Sequence, residues 1–427
     1  MANRPKLVRA VIGNRNEVSV SPSENNKVIM LSITLSAKFQ QYYARTKDPA
    51  DHFDRDIYSP KSVRSSMAVS KVYVNSLEGL STLVYDPATL LKKGKIAHRF
   101  DRANEDLFID DLNNVTWALF PNNSKISSKK AFSGKPVEFA ETHGGRYLWS
   151  SYYRRSYDMN AILPSAVAVI DTEKDEIVRV MSTGPLPKSI ATSPNGKWLS
   201  VIHWGDNTIG FIDVSGNNAA SFKHDSLVTV ERKYTVKSDI KVNRDKACGF
   251  CLRGGVFTPD SRYLLVGRMK GGGIAVIDVE KKAYIGTVYG MKPTPRHLVL
   301  SPDGETLYLS SNVSGYVSSY PVADLVKAAL GGIKKLKARK EVSTGVGTRT
   351  IDLSPDGRFL FAAVKYASKV AVIDTEQMKV IMNVPVDSYP VGLDVSPDGK
   401  QLWVTSQGAK GYGGNSVNVF KLSIIEE

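Results

Sequence analysis

Ser301-Pro302-Asp303-Gly304, Ser354-Pro355-Asp356-Gly357 and Ser396-Pro397-Asp398-Gly399 are one turn written three times. Ser193-Pro194-Asn195-Gly196 repeats it with Asn for Asp, Thr258-Pro259-Asp260-Ser261 is a close variant, and Thr142-His143-Gly144-Gly145 a weaker one. Pro presets its own φ, Asp or Asn bonds forward to the backbone, and Gly takes the positive-φ position. Such a turn joins two antiparallel strands.

The flanks agree with that reading. A short apolar stretch precedes each turn, as in His297-Leu298-Val299-Leu300, and another follows, as in Thr306-Leu307-Tyr308-Leu309-Ser310. A third stretch ends in Val169-Ile170-Asp171, Phe211-Ile212-Asp213, Val276-Ile277-Asp278 or Val372-Ile373-Asp374, and a more polar fourth follows. Successive turns lie 51, 65, 43, 53 and 42 residues apart. Four strands in about 42 residues make one blade of a β-propeller. Six turns give six blades, and the segment around Tyr73 gives a seventh. The expected fold is therefore all-β, a seven-bladed β-propeller of four-stranded antiparallel blades, favoured over eight. Residues 62–427 form the propeller. Residues 1–61 are an N-terminal segment expected to lend closing strands to the last blade.

Tyr73-Val74-Asn75-Ser76 and Trp403-Val404-Thr405-Ser406, with the Ser-Pro-Asp-Gly turns and the Val-Ile-Asp strands, resemble the YVTN repeat of YncE-like propellers. That superfamily also holds lactonases and the d1-type haem domain of nitrite reductases. The likeness is clear from Val137 to Ser423 and degenerate from Ser62 to His98. It speaks for the fold more than for function, because one fold hosts many activities.

The chain has 427 residues, 42% hydrophobic and 23% charged, with a net charge of +15. This is a globular composition, and the basic excess favours anionic partners. No apolar run is long enough for a transmembrane segment. Met1–Ala10 has no apolar core of a signal peptide, which leaves a cytosolic protein or the mature form of an exported one. The resemblance favours export: periplasmic, cell-surface or secreted. Cys248 and Cys251 are the two cysteines, too few for a structural zinc site. They are either a local disulfide or two plain thiols.

Candidate binding residues come from the repeat itself. Five residues before each turn stand Lys188, Arg253, Arg296 and Arg349 in four consecutive repeats, with Val137 and Val391 in the flanking ones. This position opens the innermost strand beside the central channel, so four like charges are expected around one axis. Arginine grips carboxylate, phosphate or sulfate bidentately. His203, Trp204, Arg268, Lys365 and Tyr366 close second strands and are placed on the same face, with His297 beside the ring. Tyr153, Arg154, Arg155 and Tyr412 belong to long loops there. A further basic stretch, Ala323 to Lys340, reads as a short helix with cations near its end. The partners expected are an anionic small molecule, a glycan or an acidic protein; no nucleic-acid motif is present.

No nucleophile elbow, P-loop, dinucleotide fingerprint or zinc-protease motif occurs. No catalytic residue, metal or cofactor is assigned. The expectation is a non-catalytic exported binding propeller. The alternatives are a propeller subunit of a larger complex, such as a periplasmic dehydrogenase, a lactonase-like enzyme or a d1-type haem carrier.

Overall fold

A computed structural model describes residues 15–20, 29–42, 50–108, 132–156, 158–236, 242–409 and 413–426. In it the repeated turns close through their own side chains. Ser301 Oγ accepts from the Thr306 amide at 2.9 Å, and Asp303 accepts from the Glu305 amide at 2.9 Å. Ser396 and Asp398 do the same for Gln401 and Lys400. Gly304 and Gly399 have φ of 74° and 71°, a conformation that other residues reach only at a cost. The aspartates ending third strands tie back to the preceding hairpin: Asp374 accepts from Arg358 at 2.9 Å, and Asp171 from Arg146 at 2.7 Å.

Each turn joins the first two strands of a blade. The first blade runs Pro60–Ser66, Lys71–Ser76, Ser81–Tyr85 and Lys92–Ala97, every neighbour antiparallel. Six further sheets follow around the ring, for seven blades in all. The innermost strands touch one another in sequence, and that of the seventh blade, Pro390–Val395, meets Pro60–Ser66 of the first. The ring is thereby closed around a central channel.

Closure is made by an early segment of the chain. Ile29–Gln40 pairs antiparallel with Ser416–Glu426 and serves as the fourth strand of the seventh blade. Arg15–Val20 adds an outer strand, and Asp51–Phe53 pairs parallel with Ile29–Gln40. Leu31 and Ile33 join a buried cluster with Phe359, Phe361 and Val404 of the sixth and seventh blades. Phe39 packs with Trp403, Val72 and Tyr85 across the seam between the seventh and first. Each such side chain contributes about 1.5–3 kcal/mol on burial, so the seam is held by core packing as well as by strand pairing.

The basic stretch differs from its expected form. The helix spans Val322–Leu330 and ends at Gly331. Gly332, with φ of 68°, turns the chain before Lys334 is reached. The cations therefore lie beyond the helix, and Lys335 instead bridges to Tyr289.

Candidate functional site

Lys61, Lys188, Arg253, Arg296 and Arg349 are each the second residue of an innermost strand: Pro60–Ser66, Pro187–Thr192, Leu252–Phe257, Pro295–Leu300 and Thr348–Leu353. At this level every one of those strands breaks register with its neighbour. Pro187 pairs with His203 and Ser189 with Ile202, so Lys188 is the extra residue of a bulge. Arg296 is extra in the same way between Pro295 and His297. A bulge releases a residue from strict alternation and re-aims its side chain. Proline suits the first strand position because its missing donor is not needed there. The local backbone thus turns the cations toward the channel.

Together they line a cavity of about 310 Å³ at one channel mouth, along with Tyr153, Trp204, Asp245, Glu78 and Gln407. Lys61, Arg253 and Arg296 are only 8%, 5% and 7% exposed, which makes their charge balance decisive. Arg253 pairs with Glu138, and Lys188 with Asp245. Glu78 is taken by Lys135 at 2.5 Å. Among the described residues Lys61, Arg296 and Arg349 have no ion pair. Arg296 Nη1 rests 3.6 Å from the Met269 sulfur, and the buried Arg349 Nε lacks a hydrogen-bond partner.

The electrostatics follow. Burial, then Arg349, Arg253 and Arg296, push the Lys61 ammonium well below its ordinary range. Burial, reinforced by Arg349 and Arg253, lowers Arg296, and Arg349 falls to about 10 through burial and Arg253. Burial brings Lys188 down to about 7 against the pull of Asp245. Burial pushes Glu138 up, but Arg253 and Lys61 outweigh it and hold the carboxyl below its usual range. A negative charge entering this cavity would relieve every one of these cations.

Lys188 is also held by rings, 3.9 Å from the Trp204 centroid and 4.9 Å from that of Tyr153. Trp204 Nε1 donates to the Asp245 carbonyl at 3.1 Å, and the Tyr153 hydroxyl meets the Asp245 carboxylate. Asp245 comes from the long insertion before the fourth blade. The Cys248–Cys251 disulfide lies three residues further on.

Not every sequence candidate reaches the mouth. His203 is fully buried, with its ring nitrogens bonded to Thr208 of its own blade and to the Gly184 amide where the chain leaves the second blade, and burial lowers it to about 3. The Arg268 guanidinium lies over the Phe250 ring, 3.8 Å from its centroid, and pairs with Glu231. Arg155 is buried and donates to the Pro164 carbonyl, and Arg154 to that of Asp158. Strand alternation turns His203 and Arg268 into blade packing, although Trp204, one residue on, faces the cavity. His297 is half-buried beneath the ring, near Glu138 and Arg253, and burial lowers it to about 4. Lys365 stands at the rim, 4.1 Å from the Tyr389 centroid. Tyr412 lies outside the described residues.

Sequence reasoning missed Lys61. Its signal was present: Pro60-Lys61 matches Pro187-Lys188 and Pro295-Arg296, and Lys61 stands five residues before Ser66 as Lys188 does before Ser193. Glu138 and Asp245 were missed because each answers a cation far away in sequence, 115 and 57 residues off, Glu138 from another blade and Asp245 from an insertion.

The far end of the channel has opposite polarity. Arg64 bonds Glu141 at 2.9 Å and stands 3.7 Å from Asp394. Asp394 accepts from the Ser65 amide at 2.7 Å, and Asp352 from the Val395 amide at 2.8 Å. Burial pushes Asp394 up to about 7 and raises Asp352 as well. A larger concavity, about 1090 Å³, lies beside the helix on the outer face. Its charges are mixed, with Asp260, Asp303 and Glu305 among Arg262, Lys327 and Arg339, so no single polarity converges there.

Comparison with known proteins places this geometry in a family. The chain is 30% identical over 233 residues to the hydrazine synthase subunit beta of Kuenenia stuttgartiensis, covering 49% of this chain and 59% of that protein. It is 24% identical over 239 residues to a 6-phosphogluconolactonase of Formosa agariphila, covering 52% and 65%. The chain thus spans roughly three fifths of these relatives' length. The solved hydrazine synthase of Kuenenia stuttgartiensis superposes with a TM-score of 0.55 at 14% identity, over 90% of this chain and 98% of that one, a likeness of fold alone. Residues 161–422 match the family described as lactonase, 7-bladed beta-propeller, and with seven blades of that form around its channel the chain belongs to that family.

Proposed function

We propose that the cationic channel mouth is an anion-binding site and that the chain is an exported, non-catalytic propeller that captures an anionic ligand or acidic partner there. The observation that carries this reading is the convergence of Lys61, Arg296 and Arg349, without ion pairs among the described residues, on a cavity of about 310 Å³. Buried charge normally comes with its counter-charge, since leaving it alone costs several kcal/mol. An anion would supply that counter-charge. Export is supported by the Cys248–Cys251 disulfide, a bond that persists in oxidising compartments.

The test is calorimetric titration with citrate and with sulfate, in the wild type and in the Arg296→Met/Arg349→Met double variant. Saturable binding that the double variant loses supports the reading. Equal behaviour of the two proteins sinks it.

A second reading is enzymatic. One relative is named for a phosphorylated sugar lactone, and a ring of cations suits a phosphate. His297, kept neutral at pH 7 by burial, sits beneath the ring beside Glu138. Turnover of a phosphorylated lactone, lost on His297→Gln with binding retained, would favour this reading over simple capture.

A further inference from the structure

The cavity is small. At about 310 Å³ it stands at the lower limit of sites that enclose a whole drug-sized ligand. It can take the tip of something larger, and the rim beside it shows where the remainder would lie. Val313, Val346 and Tyr366 are 60%, 57% and 60% exposed. They form one arc: Val346 follows Gly345, which packs on Gly315 just after Val313, and Gly347 lies against the Tyr366 ring. Tyr366 meets Tyr389 edge-on, with centroids 5.6 Å apart. The arc therefore runs from the fifth blade to the seventh. Exposed apolar groups gathered at one place, with charge beside them, mark interaction surfaces.

The arc is continuous with the cations. The Lys365 ammonium lies 4.1 Å from the Tyr389 centroid and 5.1 Å from that of Tyr366, and it feels Arg349 and Arg296. Arg349 in turn feels both tyrosines. Apolar surface on one side and unneutralised guanidinium on the other select an occupant with both characters in one short segment. A free small anion would use the ring and leave the arc wet. A glycan would gain little from Val313 and Val346.

We infer that this mouth docks a protein segment in which adjacent carboxylate side chains are followed by apolar residues, the carboxylates entering among Lys61, Arg296 and Arg349 and the apolar residues covering Val313, Val346, Tyr366 and Tyr389. This rests on the anion-binding reading and names its partner. Main-chain order is not required of the segment before binding; the two anchors fix its register.

The experiment uses the full chain and three probes: citrate, an eight-residue synthetic peptide with two adjacent glutamates followed by leucine and phenylalanine, and the same peptide with both glutamates replaced by glutamine. The acidic peptide is expected to bind at least tenfold more tightly than its glutamine counterpart. In Val346→Ser/Tyr366→Ser, both exposed positions, peptide affinity should fall at least fivefold while citrate affinity stays within twofold. Unfolding temperature checks that the variant is intact. Peptide binding unchanged in the variant, or equal for the two peptides, overturns the docking proposal and leaves the anion site standing. Failure of citrate and peptide alike removes both. Binding to anionic phosphatidylserine vesicles that needs Tyr366, with no peptide binding, assigns the surface to a membrane and also overturns the proposal.

Discussion

The two ends of the channel solve the same problem in different ways. Both gather charged side chains on inner strands, most of them shielded from water, although Arg64 keeps 43% of its side chain exposed. At the far end the excess is carboxylate: Glu141, Asp352 and Asp394 around one arginine, Arg64. Carboxyls can shed their charge by taking up a proton, and burial drives Asp394 to about 7 so that it does. They also accept backbone amides of the next blade, Ser65 and Val395, and so stitch adjacent blades together. At the mouth the excess is cationic, and two of the three cations without an ion pair among the described residues are guanidiniums, which keep their protons through the physiological range. Arg349 falls only to about 10. The carboxylate end can neutralise itself, and the mouth retains guanidinium charge that meets no ion pair among the described residues.

Five substitutions test that contrast. The largest effect is expected from Glu138→Gln, which leaves Arg253 buried without its carboxylate. Breaking a buried pair on one side costs roughly 3–5 kcal/mol. The loss should appear in chemical denaturation and be partly recovered by citrate, which would supply the missing charge. No recovery would place Glu138 outside the anion's reach.

Next comes Arg296→Met, which removes an uncompensated charge and fills its place with an apolar chain. The variant should be more stable than the wild type without ligand, by about 1–4 kcal/mol, and should lose anion-induced stabilisation. A less stable variant would mean that Arg296 has a structural partner.

The far end gives a pH dependence of opposite origin. Asp394 has a folded pKa of about 7, raised from an ordinary 3.8. The folded state therefore holds a proton that the unfolded state has released. The stability tied to this proton is fully present below pH 3.8 and is lost as pH rises through about 7. Asp394→Asn should flatten that slope in denaturation curves between pH 4 and 7. At the mouth, Lys188 titrates near 7, so citrate affinity should fall several-fold from pH 6 to pH 8.5. Lys188→Met should remove that part of the pH dependence.

The smallest change expected is from Trp204→Phe. It keeps a ring under the Lys188 ammonium and loses the indole bond to the Asp245 carbonyl, a bond worth about 1 kcal/mol. Citrate affinity should move by less than tenfold. A larger change would make the Asp245 loop the principal determinant of the site.

The fold was legible because its turns are local. Ser301 to Gly304 closes on its own side chains and needs no distant partner, so six copies announce six blades. The cation ring was legible for the same reason, being a fixed distance from each turn. Lys61 escaped because the first blade turns through Ser66-Met67-Ala68-Val69-Ser70, without the Pro, Asp or Gly that mark the other turns. The compensating acids were beyond such reasoning. Glu138 and Arg253 are 115 residues apart, and no local pattern says which of five cations will be paired. His203 and Arg268 show the remaining limit. Placement at a strand end sets the height of a residue along the channel, but strand alternation decides whether it faces cavity or core. His203 and Trp204 are neighbours that face opposite ways.

The closing strand has a consequence in time. Gln40 pairs with Ser416, so the strand holding Leu31, Ile33 and Leu35 is synthesised 376 residues before its partner. At about 5–20 residues per second this is a wait of roughly 20–75 s. Throughout it, an apolar strand with one edge unpaired stands exposed to every other nascent chain nearby, the situation in which edge strands aggregate. Slower translation lengthens the hazard, and a chaperone that shields the first forty residues shortens it. A circular permutant that moves this strand behind Glu426 would bring the two partners together within seconds of their synthesis.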